Sequence, residues 1–173
     1  MQKGSFTPPT VRFESKVVIE RINRLSELFR AKGDAVIFIQ HDGTKEGSFL
    51  PGTDEWAILP ILNQRSGDLH IDKTINDSFY HSKLQATLQN LGINELYFAG
   101  CATDFCFDAT VKSALSKDFD ITVVKDAHTT ADRPFVSAKT LIDHYNWLWS
   151  ELDPAAFRIK VVPTQEIITE LEK

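Results

Sequence analysis

The sequence predicts a single α/β domain over residues 1–173, with a mostly parallel sheet between two layers of helices. Apolar runs without alternation occupy residues 35–39 and 96–99, and such runs are typical of strands covered on both faces. Amphipathic stripes of helical period lie between these runs, and repeated strand–helix units of this spacing specify a three-layer α/β/α architecture. The length of 173 residues suits one compact domain.

The elements follow one another along the chain. The first is a helix that begins near Val18 and that Gly33 closes. It is preceded by a polar, proline-containing segment over 1–14, where a fold of this class normally begins with a strand. Asp132 or a neighbour is expected to cap the fourth helix, and Thr164 the last. The remaining helices are expected at 82–91, 103–116, 136–149 and 164–171, and the strands at 35–39, 69–71, 96–99, 121–124 and from Arg158 to 162.

Composition and charge exclude several classes of protein. The chain has 19 basic and 24 acidic residues and a net charge of −5, which leaves no electrostatic footprint for nucleic acid or an anionic membrane surface. No apolar run approaches the about 20 residues of a spanning helix. The start lacks the apolar core of a signal peptide, and the two cysteines lie only five positions apart. We therefore expect a reduced, cytoplasmic protein that acts on a small molecule and binds neither nucleic acid nor membrane.

Cys106 is the strongest candidate for chemistry. It follows the strand at 96–99 through a tight turn and lies in the first turn of the next helix. Free N–H groups and the helix dipole at that place favour a thiolate and can donate to an oxyanion, so a cysteine there is placed as a nucleophile. The alternative is that Cys101 and Cys106 are both small buried residues, the usual fate of a free cysteine. Cys101, nearer the strand, fits that alternative better.

Two further strand ends carry candidate residues. Lys73 follows the strand at 69–71, so it can project into the same crevice as Cys106 and stabilise an anion there. Taken alone, a lysine at such a place is most often a solvated surface residue. His41 follows the strand at 35–39 and lies beside Asp42. No further metal ligands follow at a recognisable spacing, so we expect His41 in a pocket wall and no bound metal.

The loops near these strand ends hold aromatic residues but no phosphate-binding motif. Neither type of glycine-rich phosphate loop is present, so no nucleotide or other cofactor is expected. Aromatics at the strand ends are either ordinary edges of the core or the walls that a small planar substrate would need. The candidate substrate-binding aromatics are Phe6, Trp56, Tyr80 and Phe105.

Residues 100–106, Gly-Cys-Ala-Thr-Asp-Phe-Cys, with Asp-Ala-Thr at 108–110, resemble the nucleophile signature of the isochorismatase-like cysteine hydrolases. This superfamily includes nicotinamidases. The cysteine motif at 100–106 is specific to this superfamily, whereas the lysine motif Lys73-Thr74 alone would be weak evidence. The similarity covers essentially the whole chain. It implies the Rossmann-like fold of that superfamily. The other similar blocks, in the same order, are Lys73-Thr74, Ser78-Phe79-Tyr80, Asp126-Ala127 and His144-Tyr145-Asn146.

The resemblance implies an Asp–Lys–Cys triad. Cys106 would attack the carbonyl carbon of a small amide or a related C–N bond and form a covalent thioester. Lys73 would stabilise the thiolate. The backbone N–H groups of Ala102 and Cys106 would form an oxyanion hole, beside a cis peptide between Cys101 and Ala102.

The aspartate of the triad ends the first strand of the family, in a pattern like Asp-x-Gln followed by Phe. Gln2 and Phe6 match that pattern, so the aspartate is expected immediately before Met1, and the first central strand is missing with it. A start placed at the methionine of an Asp-Met-Gln motif would explain this, and so would a natural variant without the base. We favour the first, because removing a central strand leaves two neighbours with unpaired backbone groups. Neither Asp42 nor Asp104 is an obvious replacement.

Other interpretations remain open at this point. Residues 40–43, Gln-His-Asp-Gly, stand where nicotinamidases have their metal-binding motif, which argues against a metal and against nicotinamide as the substrate. A catalytically inactive binding or scaffold protein of the same fold is the main alternative. A thiol-redox role of Cys101 and Cys106 ranks last. Since relatives commonly form dimers or tetramers, we expect a homodimer or homotetramer, with Trp147 and Trp149 as contact residues.

Overall fold

The computed structural model describes residues 1–8, 10–152 and 159–173. Turns of 3-10 helix cover Lys3–Phe6 and Thr44–Glu46, and a π-helical turn covers Thr103–Phe107. No helix of the described residues is long and apolar enough to cross a membrane. The helices are α1 (Ser15–Ala31), α2 (Leu84–Asn90), α3 (Asp108–Leu115), α4 (Ala138–Glu151) and α5 (Thr164–Leu171). The strands are β1 (Ile37–His41), β2 (Leu69–Lys73), β3 (Glu95–Cys101), β4 (Asp120–Thr129) and β5 (Lys160–Val162).

The strands are all parallel and form two separate sheets. β1 pairs with β2 in a register that runs from Ile37 opposite Leu69 to His41 opposite Lys73. The second sheet has the order β3-β4-β5. No strand among the described residues lies between β1 and β3, and a cavity borders both. The α/β class with parallel strands is thus confirmed, with a partial sheet whose gap coincides with the central strand that the resemblance expects.

Helices cover both faces of the three-stranded sheet, which completes the three layers. On one face, Leu25 of α1 and Ile167 of α5 pack against Val124 and Ala127 of β4. The other face is larger and takes helices from the middle of the chain. Its buried residues include Leu88 of α2, Val111 of α3, Trp149 of α4, and Ile121 and Val123 of β4.

The strands that border the gap are less buried than their apolar sequences predict. Gln40 is the single fully buried residue of β1, and Ala99 of β3 is exposed, whereas residues 121–124 of β4 are all buried. Both strands nevertheless pack on both faces, with Ile39 and Phe98 against one core cluster and Phe38 and Tyr97 against the clusters of the opposite face. Their partial exposure arises at the edge, because each strand has a hydrogen-bonded neighbour on one side only. Gly100 also does not end β3: it continues the strand at φ 133°, beside a register shift after Phe98 that marks a bulge.

The helix caps confirm one prediction and correct another. The N-cap residue of α4 is Ser137, whose hydroxyl accepts a hydrogen bond of 3.1 Å from the N–H of Thr140. The expected Asp132 contributes as well, since its carboxylate accepts a hydrogen bond of 2.8 Å from the N–H of Ala138, the first residue of the helix. Thr164, in contrast, does not cap α5 but is its first residue. The predicted strand from Arg158 begins at Lys160 over the described residues, and Arg158 itself lies outside them.

The cap of α5 comes from β4. The Oδ1 of Asp126 accepts hydrogen bonds from the N–H (2.8 Å) and the hydroxyl (2.6 Å) of Thr164, and Arg21 of α1 forms an ion pair of 3.2 Å with the same carboxylate. The side chain therefore ties β4, α1 and α5 together.

We expect Asp126→Ala to lower the free energy of unfolding by about 1–2 kcal/mol, since loss of a capping carboxylate costs that much. Urea denaturation followed by circular dichroism measures the change. Asp143→Ala is the matched control, because Asp143 is an exposed helix residue whose ion pair among the described residues is with Lys139, and its loss should cost less than about 0.5 kcal/mol. Equal stabilities of the two variants would contradict the cap assignment.

Candidate active site

Lys73 and Cys106 meet at the carboxyl edge of the strands. Lys73 is the last residue of β2, and Cys106 lies in the π-helical turn between β3 and α3. The Nζ of Lys73 lies 3.3 Å from the Sγ of Cys106 and donates a hydrogen bond of 2.8 Å to the carbonyl oxygen of Ile75. Only 6% of Lys73 is exposed. The alternative of a solvated surface lysine is therefore wrong, and the ammonium group is held against the sulfur.

The backbone after β3 brings Cys106 to this edge. The peptide bond between Cys101 and Ala102 is cis. The carbonyl oxygen of Ala102 then accepts hydrogen bonds from the N–H groups of Phe105 (3.0 Å) and Phe107 (3.2 Å). Phe105 has the non-helical angles φ −126° and ψ −105°, so the turn folds back on itself before α3 begins. As a result, Ala102 and Cys106 border the same cavity.

Three polar residues near the sulfur were not singled out as site residues from the sequence. The Oδ1 of Asn76 lies 3.4 Å from the Sγ of Cys106 and can accept the thiol hydrogen. The hydroxyl of Thr110 donates to the carbonyl oxygen of Cys106 at 2.7 Å and lies 3.0 Å from the hydroxyl of Ser78. Asn76 follows the carboxyl end of a strand, and that position was the available signal.

Cys101 is unlike Cys106. Burial raises the pKa of the Cys101 thiol, which keeps it protonated and weakly reactive. Neither lysine nor asparagine contacts its sulfur among the described residues, and the two cysteines are both free. The structure thus agrees with the interpretation of Cys101 as a packing residue.

Neither Asp42 nor Asp104 contacts the sulfur. The guanidinium of Arg133 donates to Asp104 at 2.7 and 3.0 Å, and the hydroxyl of Thr130 donates at 2.5 Å. Burial opposes ionisation of Asp104, but these bonds outweigh it and hold its pKa below the usual range. Hydrogen bonds from the hydroxyl and N–H of Thr44 likewise lower the pKa of Asp42. Both carboxylates are structural ion-pairing or capping groups.

The cavity between β1 and β3 has a volume of about 1020 Å³ and extends to Cys106. Of the residues predicted to line a substrate pocket, His41 and Phe105 border it together with Lys73. Phe105 is 49% exposed, and its ring packs against the guanidinium of Arg133 with 4.8 Å to the centroid. These side chains give the cavity an aromatic and cationic rim beside the thiol.

The other three predicted pocket residues are outside the cavity lining. Phe6 packs against the guanidinium of Arg12, 5.9 Å from the ring centroid. The indole nitrogen of Trp56 is buried without a hydrogen-bond partner among the described residues. Tyr80 is 50% exposed and lies edge-on against His81. The cavity lining therefore includes Lys73, Cys106, His41 and Phe105 and does not include Phe6, Trp56 and Tyr80.

The backbone of His41 is hydrogen-bonded, and its imidazole is influenced by a neighbouring charge. Its N–H and carbonyl are hydrogen-bonded to the side-chain amide of Gln2. Burial and the positive charge of Lys73 lower the pKa of the His41 imidazole. Over the described ranges, no three His, Cys, Asp or Glu side chains cluster in a way that could hold a metal ion.

Comparison with known proteins gives the same family that the cysteine motif at 100–106 resembles. The isochorismatase domain matches residues 1–145. The streptothricin hydrolase of Streptomyces noursei is 29% identical over 121 residues, which cover 70% of this chain and 44% of that protein. The ureidoacrylate amidohydrolase RutB of Caulobacter vibrioides is 28% identical over 105 residues, which cover 59% of this chain and 47% of that protein. The chain thus spans about half the length of these curated relatives.

Solved structures agree with the fold. The crystal structure of a putative hydrolase of the isochorismatase family from Chromobacterium violaceum superposes with a TM-score of 0.85 at 27% identity, covering 99% of this chain and 90% of that one. The similarity therefore extends over both sheets and over the edge that holds Lys73 and Cys106. With the domain match over residues 1–145, it shows that the chain belongs to the isochorismatase family.

Proposed function

We propose that the protein is a hydrolase that cleaves an amide or related C–N bond of a small molecule through a covalent thioester on Cys106. The observation that carries the proposal is the 3.3 Å contact between the Nζ of buried Lys73 and the Sγ of Cys106. An ammonium group at this distance stabilises negative charge that develops on the sulfur, and the thiolate is the nucleophilic form of cysteine.

The chemistry follows from the position of the sulfur at the cavity rim. The thiolate attacks the substrate carbonyl carbon, the S–C bond forms, and the C–N bond breaks as the leaving nitrogen takes a proton. Water then cleaves the thioester, which releases the acid and restores Cys106. The N–H groups of Ala102 and Cys106 are our candidates for the donors to the oxyanion, because both residues border the cavity.

Lys73 has the role of charge stabilisation in this proposal. It is the titratable side chain that contacts the sulfur among the described residues, and Asp42 and Asp104 are engaged by other partners. By the resemblance, the transfer of the thiol proton to the leaving nitrogen belongs to the aspartate of the Asp–Lys–Cys triad. Lys73 and Cys106 are the two members of that triad found in contact among the described residues.

The names of the relatives support amides as the substrate class. One relative is named an amidohydrolase of ureidoacrylate, and another a hydrolase of streptothricin. The rim of His41 and Phe105 offers aromatic faces of a size that suits a small, flat molecule. Ureidoacrylate and simple primary amides are therefore the first compounds to test, with release of ammonia as the assay.

Iodoacetamide labelling tests the nucleophile. At neutral pH we expect Cys106 to be alkylated much faster than Cys101, because an ammonium contacts its sulfur, whereas burial raises the pKa of Cys101. Peptide mass spectrometry measures the two rates, and loss of ammonia release should follow the labelling of Cys106. Faster labelling of Cys101, or full activity after Cys106 is blocked, would contradict the proposal.

Lys73→Met removes the charge at similar side-chain length. We expect it to slow the alkylation of Cys106 by about tenfold to hundredfold, since a hydrogen bond to a charged group is worth about 1.5–3 kcal/mol. Lys139→Met is the matched control, because Lys139 is an exposed lysine paired with Asp143 on α4. Equal alkylation rates in the two variants would remove Lys73 from the proposed mechanism.

A further inference from the structure

The side chain of Asn76 is a polar group at the reactive sulfur that the proposed mechanism does not use. Its Oδ1 lies 3.4 Å from the Sγ of Cys106 and accepts the thiol hydrogen. The Nζ of Lys73 donates to the same sulfur at 3.3 Å, so the thiol's own hydrogen needs a different partner. The sulfur thus has a donor in one contact and an acceptor in the other.

The backbone that carries Asn76 is held in place by Thr110 of α3. The hydroxyl of Thr110, a residue that is 5% exposed, lies 3.3 Å from the carbonyl oxygen of Asn76 and accepts a hydrogen bond of 3.1 Å from the N–H of Ser78. The same hydroxyl donates to the carbonyl oxygen of Cys106 at 2.7 Å. One buried group therefore joins the loop after β2 to the turn that holds Cys106, and it fixes Asn76 beside the sulfur.

The carboxamide of Asn76 does not serve to hold this loop. Over residues 1–8, 10–152 and 159–173, its side chain forms one hydrogen bond, the contact with Cys106. The loop is held by Thr110 and by the Nζ of Lys73, which donates to the carbonyl oxygen of Ile75 at 2.8 Å. Asn76 is an exposed residue that borders the same cavity as Cys106. Its carboxamide is therefore available to a molecule that binds at the sulfur.

An acceptor at this place meets the scissile nitrogen of an amide. The carbonyl carbon must approach to about 3–3.5 Å from the sulfur for attack, and the nitrogen is bonded to that carbon. Since the Oδ1 of Asn76 lies 3.4 Å from the same sulfur, a substrate N–H can reach the hydrogen-bond distance of about 2.7–3.2 Å from it. An ester, or an amide with a fully substituted nitrogen, has no hydrogen to donate there.

The thiol hydrogen and the substrate N–H use this acceptor in turn. In the resting protein, the S–H group donates to the Oδ1 of Asn76. The attacking thiolate has lost that hydrogen, so the oxygen faces a negative sulfur without a donor between them. A substrate N–H takes the place of the S–H, whereas a substrate without one leaves the acceptor unpaired. The exchange concerns a hydrogen bond and adds no proton transfer to the reaction.

The two polar atoms of an amide then meet groups of opposite type. The candidate donors to the oxyanion are the N–H groups of Ala102 and Cys106, at the turn after β3, and the acceptor is Asn76, in the loop after β2. An amide carries an acceptor oxygen and a donor N–H as separate substituents of its carbonyl carbon. The two loops are thus complementary to an amide and only half complementary to an ester.

We propose that Asn76 is a further catalytic and specificity-determining residue, whose Oδ1 accepts a hydrogen bond from the N–H of the scissile nitrogen. It selects primary and secondary amides and ureides over esters and fully substituted amides. The inference rests on the proposed function, since it names the substrate class of the same sulfur. A site that hydrogen-bonds a substrate N–H rejects the analogue that lacks it, because a polar group of the site is then left unpaired.

Alkylation of Cys106 by reagents with and without N–H groups tests the acceptor. With 2-iodoacetamide and with 2-iodo-N,N-dimethylacetamide, the thiolate forms an S–C bond and iodide leaves with the bonding electrons, but only the first reagent has N–H groups. Each rate is divided by the rate of the same reagent with N-acetylcysteine. We expect the ratio of the two normalised rates to fall about fivefold to tenfold in Asn76→Leu, as for loss of one hydrogen bond. An unchanged ratio would overturn the proposal.

Further variants separate the acceptor from charge and size. Asn76→Asp keeps an oxygen acceptor at the same place, so both reagents should react more slowly while their ratio stays at least as high as in the wild type. Asn76→Ala repeats the leucine comparison if circular dichroism shows that leucine disturbs the fold. Asn90→Leu is the matched control, because Asn90 is an exposed asparagine at the end of α2, and its ratio should not change. A fall in Asn76→Asp as large as in Asn76→Leu would also overturn the proposal.

The ratio is measured without turnover, so this inference and the hydrolase proposal can fail separately. If the protein releases ammonia from amides through Cys106 while Asn76→Leu leaves the ratio unchanged, this inference alone fails. If no amide is hydrolysed while the ratio falls in Asn76→Leu, the hydrolase proposal fails and recognition of N–H groups by Asn76 is supported. With a primary amide that the protein hydrolyses, we expect kcat/KM to fall about tenfold in Asn76→Leu and to stay unchanged in Asn90→Leu.

Discussion

Replacing Cys106 with Ala is expected to lower the rate of amide hydrolysis by about a thousandfold or more, because removal of a nucleophile leaves no route to the thioester. This corresponds to about 4 kcal/mol of transition-state free energy. The measurement is the release of ammonia from ureidoacrylate or a primary amide at saturating concentration. Cys106 contributes little to the core, since its sulfur lies at the cavity rim, so the melting temperature should change little.

Cys106→Ser separates the nucleophile from the shape of the site. A hydroxyl preserves the hydrogen-bond contacts with Lys73 and Asn76, yet it does not ionise near neutral pH. We therefore expect a similar loss of activity with an intact fold, and quenched reactions on the wild-type protein should show the acyl adduct by mass at Cys106. Substantial turnover by Cys106→Ala, or an adduct elsewhere in the chain, would contradict the thioester mechanism.

The positions of Lys73 and Cys106 could be predicted from the sequence, and the reason is topological. In a parallel sheet the carboxyl ends of all strands meet at one edge, so residues that follow different strands converge even when they are 33 positions apart. Asn76 is brought to the sulfur by the same rule. It was missed because an amide in a loop is a weak signal unless its position near a nucleophile is already known.

The burial of the strands could not be predicted from their composition. A continuous apolar run indicates what a strand needs around it, namely cover on both faces and both edges. Whether a neighbour is present depends on the rest of the sheet. Residues 35–39 and 96–99 have the composition of central strands, and in the structure they border the cavity between β1 and β3 with one edge open.

Contacts distant in sequence were the other source of error. The cap of α5 comes from Asp126, which is 38 residues before Thr164, and a local pattern cannot show it. Trp149 was expected in a contact between subunits with Trp147. Trp149 is 0% exposed and its indole N–H donates to Asp108 of α3, whereas Trp147 is 57% exposed. Both lie on one helix, and only the packing against α3 decides which faces inward.

His128 had no role in the sequence analysis, and the structure places it in the core. It is 1% exposed. Its Nδ1 lies 2.9 Å from the hydroxyl of Thr103, at the start of the turn that holds Cys106, and its Nε2 lies 3.1 Å from the Oδ1 of Asn146 on α4. The ring also packs against Phe107 and Trp149. The imidazole thus joins β4, the Cys106 turn and α4 through neutral hydrogen bonds.

This position makes the stability of the protein depend on pH. Burial lowers the pKa of His128 from 6.5 to about 4. Between these values the unfolded chain binds a proton at His128 and the folded chain does not, so the free energy of unfolding falls as the pH is lowered from 6.5 to 4. A shift of this size corresponds to a loss of about 3 kcal/mol, at about 1.4 kcal/mol per pH unit. His41, whose pKa is also lowered, adds to the loss in the same direction.

Urea denaturation between pH 7 and pH 4 measures the loss, and NMR titration of the imidazole protons reads the pKa of His128 directly. In His128→Gln the side chain has no titrating group, while its amide can still pair with Thr103 and Asn146. We therefore expect the variant to be less stable at pH 7 but to show a clearly shallower fall in stability toward pH 4. The pKa values of Asp68 and Asp104 are lowered, so these carboxylates change the stability only below about pH 4 and not between pH 6.5 and pH 4. An identical pH dependence in both proteins would show that His128 is not the group that links acidity to the packing behind Cys106.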